Sequence, residues 1–464
     1  MEIPTMPSKN ITLLSGLEVG DDRLNPVLAV LLEALQSSGA SVQTYHLRDI
    51  KLGHCVGCFG CWLKTPGACL QKDGGQEIAT AVIRSDMVVL FSPVVFGGYS
   101  AELKRAIDRF FSPLLQPYMG LFHGETHHFP RYEHYPRLVG IGVQQRDDDE
   151  EANIFKLIVG RNALNLHAPS YAVEVVNIAE SVEQLRQHFE AVLKRNDVLP
   201  IRPAIPSFSL QPDSFPDVSQ DRNSRRALLL VGSPKGTRST SACLGSRVLD
   251  GLKVRGWETH TLTLKASLSK EEGRAELLDA VDRTDLLLLS FPLYNDALPV
   301  FVLQALSAIA ARRKAAQTPA EQRMAVIINN GFPETYHNAA AIAVCRKFAA
   351  ESGIHWAGSL ALGAGEAISG GQPLMERKGL PSVKHVLKAL DQAAEALHDG
   401  QSVPSKAVEM IAKTPVPLTP FSLWRWIFIK KAGSRWQHEA AENNVRKDQL
   451  LARPFLQETE STRG

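Results

Sequence analysis

The chain has 464 residues, 44% of them apolar and 22% charged, with 51 lysines and arginines against 49 aspartates and glutamates. That length is too great for one compact core and fits two domains of roughly 150 to 200 residues plus a tail. A net charge of +2 offers no footprint for a nucleic-acid partner, no apolar run is long enough to cross a bilayer, and the opening MEIPTMPSKNITLL lacks the regions of a signal peptide, so a cytoplasmic protein is expected.

From Ile11 onward, short Leu-rich or β-branched runs alternate with amphipathic stretches, the pattern of βα units on a parallel sheet. The first predicted strand, 11–15, runs into SGLEVGDDRLN, which carries Glu18, Asp21 and Asp22, and a helix is predicted over 26–38. After the second strand, 41–46, comes CVGCFGCWLKTPGAC, with Cys55, Cys58, Cys61 and Cys69. Two-residue gaps let successive sulfurs face a common centre, so the segment suits a cubane cluster or a tetrahedral metal; free thiols or a transient disulfide are the alternatives. Such crowding points to metal or redox chemistry in a reducing compartment, not a disulfide framework.

The third strand, 87–92, leads through Pro93, Val94, Val95, Phe96 and Gly97 into a helix over 101–111. FHGETHHFPRYEHY, 122–135, holds four histidines at no recognisable zinc spacing and is expected to be a solvated loop that covers a crevice or meets a partner. Strands at 138–143 and 170–176 and a helix at 182–195 close the first half, a domain of residues 1–197. A proline-rich stretch, 198–225, reads as a linker.

The second half, 226–400, repeats the order, with strands at 227–232, 258–262, 286–291, 324–329 and 354–360. Five strands joined by helices suit a doubly wound sheet, whose ligand crevice lies at the carboxyl ends of the strands where their order reverses. Three loops belong there. GSPKGTRSTS opens a helix and offers amides and hydroxyls for a phosphate from Ser233, Thr237, Ser239, Thr240 and Ser241, with Lys235 and Arg238 to offset its charge. Pro292, Leu293, Tyr294 and Asn295 would lie beside a planar ligand, and Asn330, Gly331 and Phe332 would let backbone approach its edge. Cys243 and Cys345 fall on predicted helices as small buried side chains and receive no chemistry. Residues 401–464 form a helical tail rich in aromatics, including Phe421, Trp424, Trp426, Phe428 and Trp436. Its apolar face suits packing on its own domain or a second subunit, with a membrane surface as the alternative.

These loops resemble the flavodoxin-like NAD(P)H-dependent FMN reductase family, and the resemblance covers roughly 226–370, together with SPVVFGGYSAELKRAIDRF in the first half. It implies an α/β fold of two tandem flavodoxin-like domains with five-stranded parallel sheets. It also implies flavin mononucleotide (FMN) as cofactor and NAD(P)H as a possible donor. Phosphate contacts would come from the Ser233–Ser241 loop and ring contacts from Pro292–Asn295, Asn330–Phe332 and Pro93–Gly97. The cysteine segment resembles that of the iron-sulfur flavoproteins, which implies Cys55, Cys58, Cys61 and Cys69 as ligands of a four-iron four-sulfur cluster. An FMN-dependent oxidoreductase or electron-transfer flavoprotein is therefore expected, with a small-molecule or protein redox partner and a homo-oligomeric assembly. Flavin chemistry needs no general base, and no catalytic side chain is assigned. The alternatives are a non-catalytic scaffold, favoured in the first half by Glu18, Asp21 and Asp22, and a flavin- or redox-sensing regulator. No G-x-G-x-x-G opens either half, so nicotinamide use rests on the resemblance.

Overall fold

The computed structural model describes residues 10–203, 225–316, 321–376, 382–416 and 419–456. It separates into two compact units, Met1–Ile201 with Ile429–Gly464, and Arg202–Phe428. The expected linker falls mostly on 204–224, outside the described residues.

The first unit contains β1 (Asn10–Ser15), β2 (Ser41–His46), β3 (Met87–Pro93), β4 (Leu115–Phe122), β5 (Glu125–Pro130), β6 (Arg137–Gln144) and β7 (Tyr171–Asn177). Five of these pair in parallel in the order β2-β1-β3-β6-β7. The order reverses between β1 and β3, which places the ligand crevice at their carboxyl ends. Central strand β3, MVVLFSP, is buried from Met87 to Ser92, because helices cover both faces; edge strand β2, SVQTYH, is largely exposed. Helix Ala101–Leu114 follows β3 directly. Its cap, Ser100, accepts from the Leu103 N–H at 3.2 Å and donates to the Gly16 carbonyl at 2.6 Å, fastening the β1 and β3 loops together.

Strands β4 and β5 form a separate antiparallel hairpin. Its turn is His123–Gly124, with φ of 52° and 81°, the left-handed pair that a two-residue hairpin requires. The solvated loop expected over 122–135 is thus corrected to a packed hairpin. Glu125, Thr126, His127 and Arg131 are buried, and Glu125 meets the Arg161 guanidinium at 2.7 Å while His127 Nδ1 lies 2.9 Å from Asn165 Oδ1. Buried polar groups persist because they find such partners.

The second unit repeats the topology with β8 (Arg226–Val231), β9 (Glu258–Thr263), β10 (Leu286–Pro292), β11 (Arg323–Asn329) and β12 (His355–Leu362) in the order β9-β8-β10-β11-β12. All ten predicted strands are present, in two five-stranded parallel sheets. The C-terminal region is helical, with Ser405–Ile411 and Phe421–Glu442. Trp424, Phe428 and Trp436 are buried, while Trp426 stays 54% exposed. Among the described residues, no helix is long and apolar enough to cross a membrane.

Candidate functional site

Each unit carries the same turn where β3 or β10 ends. In the first, Val95 and Gly98 exchange backbone hydrogen bonds of 3.0 and 2.7 Å around Phe96 and Gly97, whose φ values are 52° and 79°. In the second, Tyr294 and Ala297 do so at 3.0 and 3.1 Å around Asn295 and Asp296, at 51° and 55°. Left-handed backbone costs a non-glycine residue about 1–2 kcal/mol, and the paired bonds hold each turn against that cost. At Gly97 a side chain is excluded as well, since a Cβ there would lie 2.6 Å from Ile154 Cβ. The turns leave Pro93, Val94 and Val95, and likewise Pro292, Leu293, Tyr294 and Asn295, half-buried at the sheet edge, a surface that can take a flat ring.

The three loops of the second unit meet. Leu293 N–H donates to the Asn329 carbonyl at 2.8 Å, and the Ser241 hydroxyl bonds Asn329 Oδ1 at 2.7 Å. Much of the expected phosphate chemistry is committed within this network. Ser239 caps its own helix through the Ala242 N–H at 3.1 Å, and Thr240 Oγ1 reaches the Gly365 carbonyl at 3.4 Å. Ser233 is buried, Thr237 and Arg238 are exposed, and exposed Lys235 lies 4.0 Å from Glu366. Gly331 faces open space, and Phe332 packs 5.1 Å from the His337 ring. Asn330 donates to the Glu334 carbonyl at 2.7 Å, while its buried Oδ1 has no partner among the described residues.

In the first unit the acidic loop is partly neutralised. Arg23 holds Asp21 at 2.9 Å and Arg48 holds Asp22 at 3.1 Å. Glu18 differs: burial, then Glu102 and Asp21, raise its carboxyl pKa, against a hydrogen bond from the Ala101 N–H. The residue is exposed as a whole, so solvent screening moderates that effect. Ser15, at the end of β1, is 1% exposed, and its hydroxyl has no partner among the described residues.

All four cysteines of the loop are free thiols. They interact electrostatically with one another, and burial pushes the Cys55 thiol up to about 12 and the Cys61 thiol well above its ordinary value. As ligands they would therefore release protons when they bind. No three of the described sulfurs come within 4.8 Å of one another, whereas a tetrahedral zinc–thiolate site with bonds of about 2.3 Å would gather them at about 3.8 Å. The loop is wider than that. Its scaffold is helix Ala101–Leu114: Arg109 donates to the Gly53 carbonyl at 2.7 Å and pairs with Asp73 at 2.8 Å. The buried Lys104–Asp108 pair on the same helix lies close enough for its charges to act on Cys55.

Several residues at these sites escaped the sequence reading. Glu151, buried on helix Asp149–Asn165, accepts from the Gly97 N–H at 3.2 Å. At the matching place in the second unit, Asp296 faces His337 at 3.3 Å, and Glu334 lies 3.9 Å from His337 and 3.2 Å from Arg425. The acidic start of helix Asp149–Asn165 and the His337–Asn338 pair ahead of helix Ala339–Glu351 were the sequence signals of these positions.

Residues 13–127 match the model of the NADPH-dependent FMN reductase family. The match falls on the first half, not on the 226–370 segment that carried the fuller loop resemblance. An iron-sulfur flavoprotein of Archaeoglobus fulgidus is 37% identical over 83 residues, 18% of this chain and 37% of that protein. Another, from Methanocaldococcus jannaschii, is 38% identical over 78 residues, 17% of this chain and 39% of that protein. The chain thus spans about two fifths of the length of these relatives. The solved NAD(P)H:quinone oxidoreductase of Methanothermobacter marburgensis aligns with 42% of this chain and 99% of its own, at 12% identity and a TM-score of 0.32, a likeness too slight to bear on function. Over residues 13–127 the first sheet unit is thus similar to the NADPH-dependent FMN reductase family, and it shares sequence likeness with iron-sulfur flavoproteins.

Proposed function

We propose that the chain is an FMN-dependent NAD(P)H oxidoreductase or electron-transfer flavoprotein, with its working flavin in the first unit beside a cysteine-held iron-sulfur centre. The observation that carries this reading is a shared scaffold. The turn Pro93–Gly98 ends at the N-terminus of helix Ala101–Leu114, and Lys104, Asp108 and Arg109 of that helix flank the cysteine loop. At a rise of about 1.5 Å per residue, residues 104 to 108 lie roughly 6 to 12 Å along the axis from Ser100, a span suited to electron transfer.

FMN would supply hydride acceptance and transfer of one or two electrons. The protein's part is positional. Pro93–Gly97 would hold the ring, Glu151 would fix the turn through the Gly97 amide, and Ser100 would bind the turn to the end of β1. Cys55, Cys58, Cys61 and Cys69 would hold the cluster; four free thiols on one loop are the donor set such a centre needs. The reading carries with it a cytoplasmic, homo-oligomeric protein that passes electrons to a small-molecule or protein acceptor.

For the second unit, the committed hydroxyls of Ser239, Thr240 and Ser241 favour a scaffold that no longer binds flavin, while the open space at Gly331 suits a second flavin. Anaerobic purification tests the whole reading. Iron, sulfide and flavin counted per chain, with the visible spectrum, should show both a bound flavin and a cluster. A chain with neither after reconstitution with FMN, iron and sulfide contradicts it.

A further inference from the structure

The cysteine loop is walled on one side by the end of the chain. Trp436 meets Trp62 and Phe59 with ring centroids 5.2 and 5.1 Å apart, and Ala440, Val445 and Leu450 complete the apolar cluster against which Cys61 packs. Gly67, between Cys61 and Cys69, has φ of 86°, and a Cβ there would stand 2.5 Å from the Pro454 ring. Arg131 bridges the two segments. It is 1% exposed, and its Nη1 donates to the carbonyls of Leu450 and Ala452, each at 2.8 Å. Its Nε and Nη2 donate to the Leu115 carbonyl at 3.2 and 2.9 Å, an oxygen that also accepts from the Trp62 indole at 3.1 Å.

Carbonyl dipoles satisfy those N–H groups but leave the positive charge unbalanced, and a buried guanidinium ordinarily takes a carboxylate. Among the described residues, no carboxylate pairs with Arg131. An anionic sulfur centre would supply the missing charge, because loading exchanges four S–H protons, released to solvent, for four metal–sulfur bonds.

Resting on the cysteine-centre reading above, we propose that Arg131 is a positioning residue that balances an anionic four-cysteinate centre and, through the Leu450 and Ala452 carbonyls, makes docking of the C-terminal segment depend on loading of that centre. The coupling is reciprocal: a docked segment favours loading, and loading tightens the segment.

Amide hydrogen exchange on the full chain tests this in three states, namely as purified anaerobically, stripped by chelator, and reconstituted anaerobically with iron(II) and sulfide. Stripping should speed exchange across 436–455 by roughly tenfold, the scale of an ordinary coupling, while exchange in β8 stays unchanged. Refilling should reverse it. Arg131→Gln should abolish the difference between loaded and stripped protein and lower the centre's reduction potential, whereas Arg131→Lys, which keeps the charge, should retain most of both. Should Arg131→Gln fail to fold, the wild-type states and the lysine variant still decide. A chain that takes up no iron and sulfide at its cysteines sinks the cysteine-centre reading and this inference together. A wild-type chain that takes up metal with no change in its C-terminal exchange overturns the inference alone, as does an Arg131→Gln chain that keeps the full response.

Discussion

The two sheet units share a topology and a ring turn, yet they differ in what surrounds that turn. In the first, the turn is apolar, Phe96 and Gly97, and the helix behind it leads to four cysteines. In the second, the turn carries Asn295 and Asp296 over a buried set of His337 and Glu334, and the Ser/Thr loop beside it is bound into the fold through Asn329 and Gly365. A phosphate loop of favourable composition is therefore not the same as an available one. Ser239 accepts from its helix and gives its own proton to the Gly236 carbonyl at 2.7 Å, and Ser241 gives its proton to Asn329, so these donors are already spent.

Variants at the cysteine loop should break the symmetry most completely. Replacing Cys55 and Cys61 together with serine removes the two most deeply set sulfurs and should reduce iron per chain to near zero, as read by elemental analysis; an unchanged iron content would move the cluster elsewhere. The acidic loop after β1 offers a smaller effect. Because burial raises the Glu18 pKa above 4.5, the native state favours its protonated form, so its carboxylate opposes folding at neutral pH and ceases to do so as pH falls through the raised value. Glu18→Gln should raise the melting temperature slightly at pH 7, with the gain fading as pH falls toward about 4 and absent below it, and should tighten FMN binding by removing a like charge. A gain that grows at low pH would contradict that assignment. The smallest effect belongs to the second unit: Ser239→Ala removes a helix cap and should cost about 1 kcal/mol in denaturant unfolding, with flavin content unaltered. Flavin lost along with the cap would show that Ser239 serves a phosphate after all.

The sheets were legible in the sequence because their strands are near-continuous apolar runs, such as LLLLSF in β10, bounded by Gly, Pro and polar turns. Predicted strand 41–46 coincides with Ser41–His46, and most other ends shift by a residue. Strand β5 of the hairpin was hidden because its buried residues, Glu125, Thr126 and His127, are polar. Glu125 and His127 depend on Arg161 and Asn165, 36 and 38 positions along the chain. Its turn is also His-Gly in place of the usual Asn-Gly. The candidate site was legible as loops but not as contacts. That Thr240 is tied to Gly365, or that Arg131 holds the carbonyls of Leu450 and Ala452, follows from tertiary packing that no local pattern announces.

The most direct test of the central claim compares flavin content between two variants, one in each unit. Gly97→Val places a side chain where a Cβ would meet Ile154 at 2.6 Å and where φ is 79°, and so should destroy the first ring turn. Lys235→Glu with Arg238→Glu puts negative charge at the two exposed basic positions of the Ser/Thr loop of the second. The account predicts that the first variant loses the bound FMN while the second keeps it. FMN retained by Gly97→Val and lost from the Lys235→Glu, Arg238→Glu chain would place the working flavin in the second unit and contradict it.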